Sequence, residues 1–218
     1  DKLLKLEKAA GVSAVYHFYS DQRPKTFKRW LMDPSYDISS SRIKSLLNDL
    51  KDKGHEIGLH PTYDSWNNTE LLKEQRKTLE ESLGSQVTCC RQHWLRFSWK
   101  ETWLNQSRSG ISQDSTLMFN DRSGFRNSCA ISWKPWNPKI NKEHQIECIS
   151  SVIMDSHIFD YNNFSCCEKN EYMRNWIIEC KEVHGTCSLL WHPHTLTKDY
   201  GWDEDFNMIL EAISDKEL

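Results

Sequence analysis

The stretch Gly54-His55-Glu56-Ile57-Gly58-Leu59-His60-Pro61-Thr62-Tyr63-Asp64 decides the fold. A glycine ends a helix, a short strand follows, and a turn leaves His60 and Asp64 just beyond that strand. In strand alternation His55, Ile57 and Leu59 share one face, while Glu56, Gly58 and His60 share the other. Pro61 has no N–H to give a ladder, so pairing stops after His60. Imidazole and carboxylate at a strand exit suit zinc or a related divalent ion. Asp64 serves equally well as an Asx cap of the turn.

Working outward, the same helix-then-strand unit recurs. Asp1 to Ala10 reads as a helix stopped by Gly11, and Val12 to Tyr19 as a buried strand. After a turn-rich segment, Ser40 or Ser41 caps a helix carrying Ile43, Leu46, Leu47 and Leu50. Asn68 or Thr69 caps the next, with Leu71, Leu72, Leu79 and Leu83 inside and Gly84 closing it. Val87 to His93 then reads as a strand that turns polar at its end. A short helix follows over Glu101 to Ser109, and a strand bearing Asp114 lies within Ile111 to Phe119.

Residues 120–145, rich in Pro, Asn, Gly and Trp, read as one long loop. Ile146 to Met154 reads as a buried strand ending at Asp155, and 168–183 as a helix. Thr186 to Trp191 is a strand that runs into His192, and Asp203 to Ser214 is a closing helix with an acidic first turn. Helices alternating with strands predict parallel βα units. Polar residues gather at the strand exits: His60, Arg91 with His93, Asp155, and His192. In parallel α/β folds that end of the sheet builds active sites, so the four clusters are expected at one mouth.

Composition narrows the classes. With 28 basic and 31 acidic residues, no electrostatic footprint for nucleic acid is present, and no apolar run is long enough to span a bilayer. The 218 residues are expected to form a single domain around one core. Four of the eight cysteines form two adjacent pairs and none forms a C-x-x-C. Reduced thiols in a cytoplasmic protein are therefore expected. The last four residues, Asp215 to Leu218, lack the order of a retention signal. The ten tryptophans suit either core filling or stacking on sugar rings.

With the strand exits placed, the chain resembles the polysaccharide deacetylases, the NodB-homology family of carbohydrate esterases, in its divergent bacterial branch. The resemblance spans nearly the whole chain and rests on G-H-E-I-G-L-H-P from Gly54, R-Q-H-W-L-R-F from Arg91, D-S-T-L from Asp114 and L-L-W-H from Leu189. It implies a distorted (β/α) barrel of parallel strands. It also implies a metal-dependent hydrolase that removes acetyl groups from N-acetylated sugars of a surface polysaccharide or its precursor. The family holds a divalent metal, zinc with nickel or cobalt as alternatives, on one aspartate and two histidines.

By that resemblance His60 is a metal ligand, His192 the general acid, and Arg91 the arginine that orients the catalytic base. The family's second histidine falls at position 64, where Asp64 stands as a substitute ligand. His93 is an extra ligand or a substrate contact, Trp94 a substrate contact, and Asp155 a partner for a sugar hydroxyl or a neighbouring histidine. The family's first motif, an aspartate pair on a first strand, is expected upstream of residue 1, which makes the domain N-terminally incomplete. The alternative reading is a carbohydrate-binding or scaffold domain that keeps the fold without catalysis.

Overall fold

Residues 2–215 are described by a computed structural model. In chain order the elements begin with helix α1 (Lys2–Ala10), strand β1 (Val15–Phe18), and helices α2 (Phe27–Met32) and α3 (Ser41–Asp52). Strand β2 (Glu56–Leu59), helix α4 (Thr69–Leu83), strand β3 (Cys89–Cys90), helix α5 (Thr102–Arg108) and strand β4 (Gln113–Asp114) follow. Next come strands β5 (Trp136–Asn137), β6 (Lys142–Glu143), β7 (Glu147–Cys148) and β8 (Ser151–Met154). The chain closes with helices α6 (Asp155–Phe159) and α7 (Cys166–Glu182), strand β9 (Ser188–Leu190) and helix α8 (Asp203–Ser214). Asp1, with which the first expected helix begins, and residues 216–218 of the terminal tetrapeptide lie outside the described residues.

The chain forms two compact units, and each is described by itself. The first comprises Val15–Leu117 and Trp133–Cys148. Its main sheet has five strands, all parallel, in the order β1-β2-β3-β4-β7. Helices connect them as the sequence pattern requires. Helix α4 starts where the Asn68 side chain accepts from Leu71 N–H, and ends at Gly84, whose φ of +72° suits a residue without Cβ. Between these caps Leu72 and Leu79 are fully buried, each worth about 1.5–3 kcal/mol relative to exposure.

Register positions the exits. Phe18 pairs with Leu59, Leu59 with Cys90, and Cys90 with Asp114, so the next residue of each strand emerges on one sheet edge. Backbone bonds carry the ladder one step further: His60 N–H donates to Phe18 C=O at 2.8 Å, Arg91 to Leu59 at 3.0 Å and Ser115 to Cys90 at 3.0 Å.

The second unit comprises residues 2–14, 118–132 and 149–215. Parallel strands β8 and β9 lie at its centre, with an irregularity between Ser151 and Ile153. Val152, Ile153, Ile158, Met173, Ile177, Phe206 and Leu210 form the core around them. Helix α7 opens with a reciprocal cap between Ser165 and Glu168, and Ser214 Oγ of α8 donates to Ala10 C=O of α1 at 2.8 Å. Among the described residues no helix is long and apolar enough to cross a membrane.

Several sequence expectations are corrected. The strand expected over Val12 to Tyr19 spans only Val15–Phe18, and Val15 is 41 % exposed because β1 ends the sheet's order. The run Ile146 to Met154 is two strands, not one: β7 pairs with β4, then the chain leaves that ladder and β8 pairs with β9. The loop expected over residues 120–145 contains the antiparallel pair β5–β6. Its residues alternate without an apolar face, so no period-two signal marks it. Strands β3 and β4 shrink to two residues each.

Candidate active site

In the first unit the strand exits carry a dense polar cluster. His60 Nδ1 lies 2.7 Å from Arg91 C=O, and a carbonyl only accepts. The Nδ1 therefore bears the hydrogen, and the ring's direction is set by that bond. Arg91 is buried, and Nε donates to Ser115 Oγ at 3.2 Å. Burial pulls its guanidinium down to about 10, against the opposing field of Asp114. Asp114 is itself buried among donors from Gln106 and Trp103, at 2.8 and 3.2 Å, and burial pushes its carboxyl up. On β1, His17 faces Gly58 across the ladder, and burial with the charge of Arg91 holds it neutral.

Asp64 has other company. Its Oδ1 accepts from Thr62 Oγ1 at 2.8 Å and from Arg23 Nη2 at 3.2 Å. Burial pushes the carboxyl up, but these two partners outweigh it and bring it below its ordinary value. Arg23 in turn grips the buried Asp21 through Nε at 3.0 Å and Nη2 at 2.9 Å, and Arg29 holds the same carboxylate. A carboxylate already bound to a guanidinium does not fit a cation ligand, whereas His60, with its ring oriented by a carbonyl, does. Among the described residues no three His, Cys, Asp or Glu side chains are grouped to hold a metal.

His93 follows Arg91 in the turn after β3. Its Nδ1 lies 3.1 Å from Asp33 Oδ1, and its ring centroid 4.8 Å from that of His60. Asp33 also accepts from Tyr63 N–H at 2.9 Å. Burial pushes the Asp33 carboxyl up, and the bonds from His93 and Tyr63 bring it below its ordinary value. Trp94 and Leu95 both take the left-handed backbone, at φ of +57° and +50°, a conformation that costs roughly 1–2 kcal/mol per residue. Trp94 stands 60 % exposed, with its indole N–H donated to Met32 C=O at the end of α2 at 3.1 Å.

The second unit holds a separate arrangement at the ends of β8 and β9. His192 Nδ1 lies 2.8 Å from Asp155 Oδ1, and His192 N–H donates to Asp155 Oδ2 at 2.9 Å. Asp155 is 1 % exposed, while the His192 side chain is 45 % exposed. The imidazole opens on a cleft of about 210 Å³ lined also by Asp160, His194, Tyr200 and Trp202. Rings pack edge to face along this wall: His194 on Tyr200 and Tyr200 on Trp202, each at 5.2 Å.

The structure thus brings His60, Asp64, Arg91, His93 and Trp94 into one unit and Asp155 with His192 into the other. Sequence reasoning passed over Asp33, Asp21 and Arg23, all within the segment read only as turn-rich, and over Tyr200 and Trp202 beside His192. The signal for Asp33 was a carboxylate just before Pro34, beyond the exit of β1. Trp191 packs on Phe159 and Phe206 against the core of the second unit.

This architecture is the polysaccharide-deacetylase, NodB-like fold. A candidate polysaccharide deacetylase from Mycobacterium smegmatis matches 99 % of this chain over 70 % of its own, with a TM-score of 0.65 at 15 % identity. The Xyl-CE4 domain of a multidomain xylanase from the hindgut metagenome of Trinervitermes trinervoides matches 97 % of this chain over 73 % of its own, with a TM-score of 0.45 at 11 % identity. No family model matches the sequence, and no curated protein does.

Proposed function

We propose that the chain is a metal-dependent hydrolase that removes acetyl groups from N-acetylated sugars of a surface polysaccharide or its precursor. The observation that carries this reading is the Asp155–His192 pair, a half-exposed imidazole held by a buried carboxylate at the mouth of an aromatic-walled cleft. Amide hydrolysis needs a proton delivered to a departing amine. With Nδ1 committed to Asp155, His192 presents Nε2 to the cleft chemistry, takes a proton there, and returns it to the amine. Asp155 grips both the ring and the backbone N–H of His192, which fixes the tautomer and the ring's direction.

A bound zinc, or nickel or cobalt, would polarise the acetyl carbonyl and lower the pKa of its water toward about 7. His60 is the ligand whose geometry supports that part of the reading. In the first unit the exposed Trp94 offers a ring face for sugar stacking, and in the second, separately, Tyr200 and Trp202 line the cleft beside His192.

A second reading has its own observation. The Arg23–Asp64 ion pair occupies the position where the deacetylase pattern expects a ligand, as a carbohydrate-binding or scaffold domain would tolerate. Acetate release from an N-acetylglucosamine oligomer that stops on chelation supports the enzyme. Oligomer binding that ignores chelator, with no acetate released, supports the scaffold.

A further inference from the structure

We infer that His93, oriented by Asp33, is a second imidazole ligand for a divalent cation beside His60, in place of Asp64. The inference deepens the metal-dependent reading above and rests on it. Leu59 pairs with Cys90, so the exits of β2 and β3 deliver both histidines to one sheet edge. Their ring centroids lie 4.8 Å apart with planes at 63°. Two imidazoles sharing a tetrahedral zinc at Zn–N distances of about 2.0–2.1 Å place their centroids about 5 Å apart.

Both rings are fixed at the same atom. His60 Nδ1 donates to the Arg91 carbonyl at 2.7 Å, and His93 Nδ1 to the Asp33 carboxylate at 3.1 Å. With Nδ1 turned to its acceptor, each ring has Nε2 as the nitrogen that would meet an ion, and a carboxylate or carbonyl behind the other nitrogen is the arrangement that orients metal-bound histidines. Asp33 is suited to that role: its side chain is 1 % exposed and is anchored by Tyr63 N–H at 2.9 Å. The His93 side chain remains 18 % exposed, open to an ion from solvent. Asp64, by contrast, is spent on Arg23 and Thr62.

The test is cobalt(II) titration of the full chain, read by calorimetry and by visible absorption of the bound ion, for wild type, His93→Gln, Asp33→Asn and Asp64→Asn. Circular dichroism and thermal midpoints check that each variant is folded. His93→Gln and Asp33→Asn are expected to weaken cobalt binding by about 10- to 100-fold. Asp64→Asn is expected to keep it within about threefold, below the tenfold that losing even an orienting partner costs. Equal affinity in wild type and both folded His93→Gln and Asp33→Asn, or loss of binding in Asp64→Asn alone, overturns the inference. A wild-type chain that binds no cobalt overturns it too. Cobalt bound through His93 without any acetate release would sink the deacetylase reading and leave the ligand pair standing.

Discussion

Asp155 holds His192 at two points, taking the ring through Oδ1 at 2.8 Å and the backbone N–H through Oδ2 at 2.9 Å. The carboxylate also accepts from Ser156 N–H at 2.9 Å, so it has little freedom to turn. A fully buried acid thereby sets the direction of a half-exposed imidazole at the cleft mouth.

Replacing that acid separates positioning from binding. In Asp155→Asn the side chain keeps its size but loses its charge, and one donor must face another. Turnover of an N-acetylated oligosaccharide is expected to fall by at least about tenfold, part of the 10²–10⁴-fold that positioned acid–base groups supply. KM should stay close to wild type, since Asp155 is too buried to touch substrate. A raised KM at unchanged kcat would instead place Asp155 on the sugar.

Gly58 is packed where no side chain fits. A Cβ there would lie 2.7 Å from His17 Cδ2 and 2.9 Å from Cys89 Sγ. Gly58→Ala is therefore expected to lower stability by about 1–3 kcal/mol through overpacking, read as a reduced urea midpoint. An unchanged midpoint would mean that β1 and β3 yield freely around β2.

The share of this architecture legible in the sequence follows from where burial is one-sided. Helix α4 was legible because its apolar stripe and both caps point the same way, and α3 from its stripe and Gly54 alone, since Ser40 at its N-terminus makes no side-chain capping bond. The exit of β2 was legible because Pro61 ends its ladder. The Asp155–His192 contact was open as one of two readings for Asp155. Asp33 and His93 lie 60 residues apart and join only through the parallel register, a pairing that no local pattern encodes. The Arg23–Asp64 pair is hidden for the same reason, because its geometry depends on how the segment after β1 folds back.

His157 gives a pH dependence. Its Nε2 donates to Phe119 C=O at 3.1 Å, while Nδ1 accepts from Met154 N–H at 3.3 Å. A proton added at Nδ1 would face that N–H, and burial lowers the pKa of the ring in the folded protein. The unfolded chain then binds the proton first, at about pH 6.5, so stability is lost as the pH falls below that value and recovers as it rises. Urea midpoints at about pH 7.5 and pH 5.5 should diverge more in wild type than in His157→Gln. The same drop in both would assign the acid sensitivity to other groups.

Trp94 tests the sugar surface. Its indole is tethered to Met32 C=O, yet its ring is largely exposed. Trp94→Ala removes a stacking face worth roughly 0.5–1.5 kcal/mol, so the KM for an N-acetylated oligosaccharide should rise about 2- to 12-fold with kcat near wild type. Unchanged KM would return Trp94 to a merely structural place beside α2.

The most direct measurement is acetate release from an N-acetylglucosamine oligomer by the full chain, wild type against His192→Gln, both shown to be folded. Acetate formed by wild type and reduced by at least about a hundredfold in His192→Gln is the expected result for a proton donor in the reaction. No acetate from wild type across zinc, nickel and cobalt, or equal acetate from both chains, would contradict the account.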